Sequence, residues 1–449
     1  MPYSGLGTPR ILALLSVVSI LFLGTTHLTQ HALGADSYRL EETVTGSEVF
    51  GVESTITIKG DLLTPQQETA LSHPLNVEAQ LKYVEQRLEG AGRDARAFRA
   101  LRQYENCRAK ISVSENLVDS LLRKERSQIA VHGYRQGLKR VSAEGPLTRN
   151  ELDLLETPGD SLAIVALLPD KPVEVGDSWS VPDWAFQMLT ASEAVMKSDL
   201  TCTLDRVERN VAHVSFQGSL EGATGGSPCV IKVKGQFTFL TDLKYLKEVT
   251  MTQTEDRSAG PVSPGLKVTA TVKLERYPAV NPDVIPENAE EIVPLQPTEE
   301  QLALELKTPW KFSFVHSRNW HIFQQTVSST TLRYVEDGSF IAQCDLMKLN
   351  DVLPGRHVSA KQFQDDIRRS LGEQLSEIGK LKEETLENKV ITYRVDAQGN
   401  ARELDMTWLY YLTASPEGKQ TSFVFSVETQ LLPELGNEDE LIIQSVQFE

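Results

Sequence analysis

The sequence predicts an α+β protein: an N-terminal antiparallel β-rich domain with few helices, a Pro-rich linker, and a C-terminal α/β sandwich on an antiparallel sheet. Three observations predict it. Apolar residues recur at every second position in many stretches of 38–277, the period of a strand with one buried face. Pro278, Pro282, Pro286, Pro294 and Pro297 crowd one short segment. Beyond it, strand-like pieces flank a single stripe of helical period.

A chain of 449 residues exceeds one ordinary hydrophobic core, and its 40% hydrophobic and 24% charged residues are those of a folded protein. The expected divisions are a leader or anchor over 1–35, a β-rich domain over 36–277, a Pro-rich acidic linker over 278–298, and a second domain over 299–449. Arg10 precedes an uncharged run at 11–23 (ILALLSVVSILFL). That is the length of a signal-peptide core and short of the roughly 20 apolar residues of a membrane span. Ala32, Gly34 and Ala35 suit a signal peptidase, with cleavage after Gly34 or Ala35. The alternative is an uncleaved anchor reaching Leu28. Either reading places the rest outside the cytoplasm, in the periplasm, the cell envelope or the medium. Membrane contact would come only through the uncleaved segment.

In the first domain, 55–58, 230–239 (VIKVKGQFTF) and 268–274 (VTATVKL) alternate as strands. The stretch 222–226 (GATGG) reads as a loop. Thr148 and Glu151 have the spacing of a capping box and open a helix to Leu155. Residues 184–196 form a second helical candidate. Between them, 167–179 (LLPDKPVEVGDSW) is punctuated by Pro and Gly and ends in Trp179, placed to pack on the sheet. Proline density makes 278–298 an extended, stiff linker with acidic Glu287, Glu290 and Glu291. Thr298 and Gln301 form another capping box, leading to Trp310.

In the second domain, strands are expected at 311–315, 320–327, 330–335 and 340–349. A long helix is expected from the Ser359–Gln362 cap to Gly379, with Phe363, Ile367, Leu371, Leu375 and Ile378 as its apolar stripe. Strands return at 389–395, 402–413, 421–429 and 441–448. Leu404, Met406, Trp408, Tyr410 and Leu412 share one face.

This order resembles the PsbP-like fold superfamily. The resemblance rests on Trp320-His321-Ile322-Phe323 opening the hairpins, the helix from Ser359, then Val390-Ile391-Thr392-Tyr393-Arg394, Trp408-Leu409-Tyr410-Tyr411 and Phe423-Val424-Phe425. It implies a binding or assembly factor rather than an enzyme, and no functional residue carries over. The first domain is similar to uncharacterised exported bacterial proteins with a phrase like Leu168-Pro169, Val173 and Val175-Gly176-Asp177-Ser178-Trp179. Its curved sheet also resembles lipoprotein-carrier folds.

A net charge of −17 repels phosphate backbones, so nucleic acid is excluded as a general partner. The basic stretch at 121–126 (LLRKER), continued by Arg135, Lys139 and Arg140, reads as a solvated face. Of the four cysteines, Cys202 and Cys229 are the candidate disulfide, and four buried thiols are the alternative. His316 and His321 lack a third ligand nearby in sequence, so no metal is expected. Cys344 with His321 or His357 is the conceivable nucleophile pair, against a buried strand thiol. Asp351 and the run Glu438-Asp439-Glu440 read as solvated rather than calcium-binding carboxylates. Trp408, Tyr410, Tyr411, Phe423 and Phe425 read as core rather than a groove. No nucleotide, zinc-hydrolase or nucleophile-elbow motif occurs, and no cofactor is implied. The leading expectation is a non-catalytic binding or assembly protein with an unknown protein partner. A carrier of an apolar ligand, in a cavity lined by Ile231, Val233, Phe237 and Phe239, is the first alternative. An atypical hydrolase is the second.

Overall fold

The computed structural model describes residues 36–42, 48–64, 71–90 and 94–449. The expected leader over 1–35 lies outside the described residues. The chain is mostly antiparallel β-sheet, in several sheets.

Twelve strands among the described residues form the largest sheet. The first six are β1 (Val49–Thr64), β2 (Leu71–Glu89), β3 (Phe98–Val113), β4 (Asn116–Leu121), β5 (Gln128–Tyr134) and β6 (Gly137–Ser142). The others are β7 (Ser178–Ser180), β8 (Ala194–Glu208), β9 (Val211–Thr224), β10 (Ser227–Leu240), β11 (Tyr245–Arg257) and β12 (Gly265–Pro278). They run in the order β6-β5-β3-β2-β1-β12-β11-β10-β9-β8-β7, with β4 also on β3. The sheet is thus two meanders joined at the centre by their first and last strands. The seam pairs Ile56 with Val272 and Ile58 with Ala270, so the predicted alternations at 55–58 and 268–274 stand side by side on one face of the sheet. The GATGG stretch is mostly strand. Only Gly225 and Gly226, at φ 59° and 69°, form the two-residue turn between β9 and β10, a conformation that favours glycine.

Helices α1 (Arg149–Leu155), α2 (Ser161–Val165) and α3 (Asp183–Thr190) cover the inner face. Leu152, Leu155, Leu162, Ile164, Phe186 and Leu189 fill it, together with Val52, Ile129, Val214 and Phe237. The Thr148–Glu151 capping box is formed. Helix α3 stops at Thr190, earlier than the sequence suggested, because Ala191 turns left-handed at φ 55° and 194–196 joins β8. Trp179 packs on this core and donates its indole N–H to Leu167 O at 2.9 Å.

One buried polar knot fixes this helix layer to the sheet. Asp160 caps α2, accepting from Leu162 N at 2.9 Å. Arg102 of β3 donates to both Asp160 oxygens at 2.8 and 2.7 Å, and its Nε donates to Glu85 Oε2 of β2 at 2.8 Å. Arg140 of β6 donates to Asp160 Oδ2 at 2.7 Å. Ser161 Oγ donates to Glu85, and Tyr83 OH meets Ser161 Oγ at 2.9 Å. Two guanidinium and two carboxylate groups balance in a buried interior, where breaking such a pair leaves an uncompensated charge.

Segment 278–298 is no free extended linker. Proline does keep its elements short, with one 3₁₀ turn at Pro282–Val284 and one helical turn, α4 (Ala289–Ile292). Its apolar residues nevertheless pack: Ile285, Ala289 and Val293 are buried against Leu88, Leu101, Ala130 and Val141. These lie on the opposite sheet face from Ala100 and Ile129 of the inner core, so the segment covers the back of the sheet. Helix α5 (Glu299–Leu302) follows with its predicted capping box.

The C-terminal strands form two sheets. The small one contains β13 (Leu304–Lys307), β14 (Phe312–His316) and β23 (Gln447–Phe448). The larger contains β15 (Trp320–Gln325), β16 (Ser329–Glu336), β17 (Ser339–Lys348), β18 (Leu375–Ile378), β19 (Lys382–Thr385), β20 (Ile391–Ala401), β21 (Leu404–Ala414) and β22 (Gln420–Glu428). Helix α6 (Ala360–Leu371) covers one face through Phe363, Ile367 and Leu371 against Tyr393, Trp408, Tyr410 and Leu412. The expected helix to Gly379 ends early at Gly372, φ 51°, and Leu375 and Ile378 become strand β18. Helices α7 (Leu432–Leu435) and α8 (Glu438–Gln444), with Phe312 and Phe314, cover the other face around Leu409, Tyr411, Phe423 and Phe425. Burial on both faces explains why β21 is apolar almost without alternation.

The two bodies are fastened directly. Leu147 and Leu304 form a parallel bridge. Arg123 grips Glu151 in bidentate fashion at 2.7 Å and reaches Glu305 at 3.0 Å. Arg318 donates to Leu302 O at 2.8 Å and to Arg140 O, and Arg333 donates to Pro261 O.

The candidate disulfide is not formed. All four cysteines are free and buried. Cys202 stands opposite Phe216, and Phe216 opposite Gly235. Cys229 lies six residues before Gly235 on β10, about 20 Å at strand rise, well beyond disulfide reach. Burial pushes the Cys107 and Cys202 thiols up to about 12.

Two predictions follow from this packing. A colorimetric thiol reagent is expected to titrate all four thiols in denaturant and none in the native protein. A count of two after non-reducing denaturation would show a bridge. Asp160→Asn is expected to lower stability by about 3 kcal/mol in urea unfolding at pH 7, by stranding two buried arginines. The arginines hold Asp160 below its ordinary value despite burial, which opposes them. Its contribution is therefore complete above the unfolded pKa near ~3.9 and lost as pH falls through the folded pKa. The gap between wild type and variant should stay constant down to about pH 4 and narrow only below it.

Candidate functional site

The inner face of β11 reads Val249, Met251, Gln253, Glu255, Arg257. The first two belong to the core. The last three put polar groups where the sheet runs out from under α2 and α3. Gln253 lies between Val233 and Ala270, Glu255 between Ile231 and Val268, and Arg257 between Cys229 and Leu266. Above them, α1 presents Arg149, Asp153 and Glu156, whose spacing of four and three sets them on one helical face. Leu152, Leu154 and Leu155 take the buried side. Glu193, just past α3, and His321 and Ile322 of β15 complete the walls. The result is a cleft of about 510 Å³.

Several groups here are buried with unspent hydrogen-bonding capacity. Gln253 is 4% exposed. Its Nε2 donates to Thr190 O at 3.3 Å, which fixes the amide orientation and leaves Oε1 without a partner. Glu255 Oε1 stands 3.5 Å from Arg257 Nε, yet neither atom is aligned for a hydrogen bond. Glu193 Oε2 accepts from Gly225 N at 2.7 Å. Arg149 spends one terminal nitrogen on Arg318 O and Trp320 O, while its Nε is buried and unpartnered.

The electrostatics follow from this crowding. Protein packed around Asp153 raises its carboxyl to about 6, opposed by Arg149 and reinforced by Glu156 and Glu193. Its side chain nonetheless keeps contact with solvent in the cleft. Burial likewise raises Glu193 and Glu255, with Arg257 opposing in both cases. Burial, then Arg149 and His316, lower His321 to about 4, so it is neutral at pH 7.

The residues singled out from sequence are mostly dispersed. His316 is enclosed on β14, donating Nδ1 to Ser317 O at 2.7 Å. Of that pair, only His321 reaches the cleft. Cys344 pairs with Leu332 and His321 with Arg333. Successive strand residues point to opposite faces, so Cys344 and His321 are on opposite sides of the sheet. His357 meets Tyr393 OH at 3.1 Å. The acidic run at the start of α8 is an anchor. Glu438 accepts from Ser317 Oγ and Trp320 Nε1 at 2.7 and 3.0 Å, Asp439 accepts from Tyr411 OH, and Glu440 pairs with Arg394. Asp351 is exposed. Val233, Phe237 and Phe239 are sealed in the core with Phe186 and Leu189, and only Ile231 of the expected apolar lining borders the cleft.

No protein-family model matches the chain, and no curated protein matches it in sequence. Among solved structures, it is similar over 33% of its length to 92% of the cyanobacterial PsbP (CyanoP) of Synechocystis sp. PCC 6803, at 11% identity and a TM-score of 0.26. The translocator domain of autotransporter NalP from Neisseria meningitidis matches over 85% of this chain and 88% of its own, at 9% identity and a TM-score of 0.13. OmpF of Salmonella typhi matches over 85% and 96%, at 8% identity and a TM-score of 0.11. Among the described residues, no helix is long and apolar enough to cross a membrane.

Because the fold raises the Asp153 pKa, its charge works against folding once ionised. Stability from this group is greatest below the unfolded value near ~3.9 and falls as pH rises towards 6. Asp153→Asn is therefore expected to raise the melting temperature at pH 7.5, on the order of 1 °C given the solvent around it, and to leave it unchanged at pH 4. A loss of stability at pH 7.5 would show that the carboxylate holds the fold together.

Proposed function

We propose that this chain is an exported, non-catalytic binding protein, and that the cleft between α1, β11 and β15 is its binding site. The observation that carries this reading is Gln253. A buried amide with an unmatched acceptor, at the floor of a cleft, is a group placed to meet a ligand. The surrounding charges support it, since they destabilise the free protein and would be compensated on binding. The separation of Cys344 from His321, and the enclosure of His316, favour binding over nucleophilic catalysis. The apolar run at 11–23 supports export to the periplasm, cell envelope or medium. The order of strands, helix and strands after residue 310 supports a PsbP-like C-terminal body, which walls the cleft with His321 and Ile322.

The test is native mass spectrometry on the full chain purified from its own host. A bound mass of at most about 500 Da, released on denaturation and lost in the Gln253→Met variant, is expected. Reproducible turnover of a substrate, or a chain that is always bare and binds nothing offered to it, would overturn the reading.

A further inference from the structure

We propose that the cleft takes a primary alkylammonium group, held at its nitrogen by Gln253 and Glu255 and along its aliphatic stem by the apolar wall beside them. The proposal rests on the binding reading above and specifies the chemistry of the ligand.

Three observations point the same way. First, two unspent groups at the floor are acceptors. Gln253 Oε1 and Glu255 Oε1 are buried without hydrogen bonds, and an ammonium offers three donors and no acceptor. Arg257 Nε lies 3.5 Å from Glu255 Oε1 without a hydrogen bond to it, so an ammonium would sit beside this guanidinium and take the oxygen's free lone pairs. Second, the charge balance of the cleft is negative: Asp153, Glu156, Glu193 and Glu255 stand against Arg149 and Arg257. Two terminal contacts of Arg149 are committed to the carbonyls of Arg318 and Trp320. A ligand anion would face this excess, whereas a cation would relieve the repulsion among the carboxylates. Third, the strands flanking the polar floor supply Ile58, Ile231, Val268 and Ala270, an apolar surface that suits a methylene stem. A bare metal ion would leave that wall unused, and a purely apolar ligand would strand the acceptors.

The group can come from a free diamine or from a lysine side chain. Isothermal titration of the full chain separates the cases with four probes: cadaverine, Nα-acetyl-lysine amide, hexanoate and 1-pentanol. Saturable one-to-one binding of the ammonium probes is expected, with neither hexanoate nor pentanol competing. Tighter binding of cadaverine indicates a free amine as the source, and tighter binding of the lysine derivative indicates a side chain. Glu255→Gln should weaken binding by about tenfold or more, whereas Glu417→Gln, at an exposed site elsewhere, should not. An equal loss in both variants would mean diffuse attraction to an acidic surface and would overturn the proposal. So would binding of hexanoate, or no binding of any ammonium probe. If a variant fails to fold, the comparison of ammonium, alcohol and carboxylate on the wild-type chain decides alone. A host-derived ligand that is anionic or neutral would overturn the alkylammonium assignment and leave the binding reading standing.

Discussion

The knot at Asp160 is the constraint on which the rest of the first body depends. Hydrophobic packing would let a short helix such as α2 slide or rotate over the inner face, because apolar contacts carry little directional information. A carboxylate gripped by Arg102 from β3 and Arg140 from β6, while it caps its own helix, permits one placement. Such an arrangement adds little net stability, since the charges must be desolvated, and its contribution is to specify one geometry over its neighbours. Gly159 adds to this, because its φ of 74° and its close approach to Val272 hold the chain against β12 immediately before the cap. With α2 placed, α1 before it and α3 after it have little freedom, and the cleft under α1 takes its shape from them.

The cleft belongs to both bodies. Its floor is the polar end of β11 and its roof is α1, but His321 and Ile322 come from the C-terminal sheet. Arg149, which stands over the floor, is also one of the groups that fasten the C-terminal body through Arg318 and Trp320. Arg123 does similar work at the same end of α1, joining Glu151 to Glu305. Glu438 continues the chain of support, orienting Trp320 from α8. The walls of the cleft and the junction between the bodies therefore share residues.

Much of the architecture was legible in the sequence because it rests on local periodicity. The alternations at 55–58, 230–239 and 268–274, both capping boxes, and the stripe of Phe363, Ile367 and Leu371 encode elements that form where expected. The misreadings have separate causes, and the strand expected at 441–448 begins within helix α8, with only Gln447–Phe448 in a strand. Leu375 and Ile378 continue the helical period by coincidence, and the chain leaves the helix at Gly372, where a left-handed residue was required. Residues 194–196 were likewise assigned to a helix that Ala191 ends. The proline-rich segment was read from its prolines alone, although Ile285, Ala289 and Val293 had the apolar surface to cover a sheet. The Cys202–Cys229 pairing failed because β9 separates their strands and the register sets the two residues far apart along the sheet. The cleft was not found from sequence, though two signals for it were present. Along β11 the inward positions turn from Val249 and Met251 to Gln253, Glu255 and Arg257, and the face of α1 opposite its leucines carries Arg149, Asp153 and Glu156. Only the fold shows that these two polar faces meet.

The central seam has a consequence for how the molecule comes into being. Strand β1 leaves the ribosome well ahead of its partner on one side, β12, which lies about 200 residues later. At ordinary synthesis rates that interval is on the order of ten seconds or more. Throughout it the first meander can be complete only on its β2 side, with the other edge of β1 offering unpaired backbone groups to any passing strand. Exposed Glu53 and Lys59 on that strand discourage such encounters without preventing them. A chain wired this way completes its largest sheet only when β12 has been made, so the seam is among the last contacts of the first body to close.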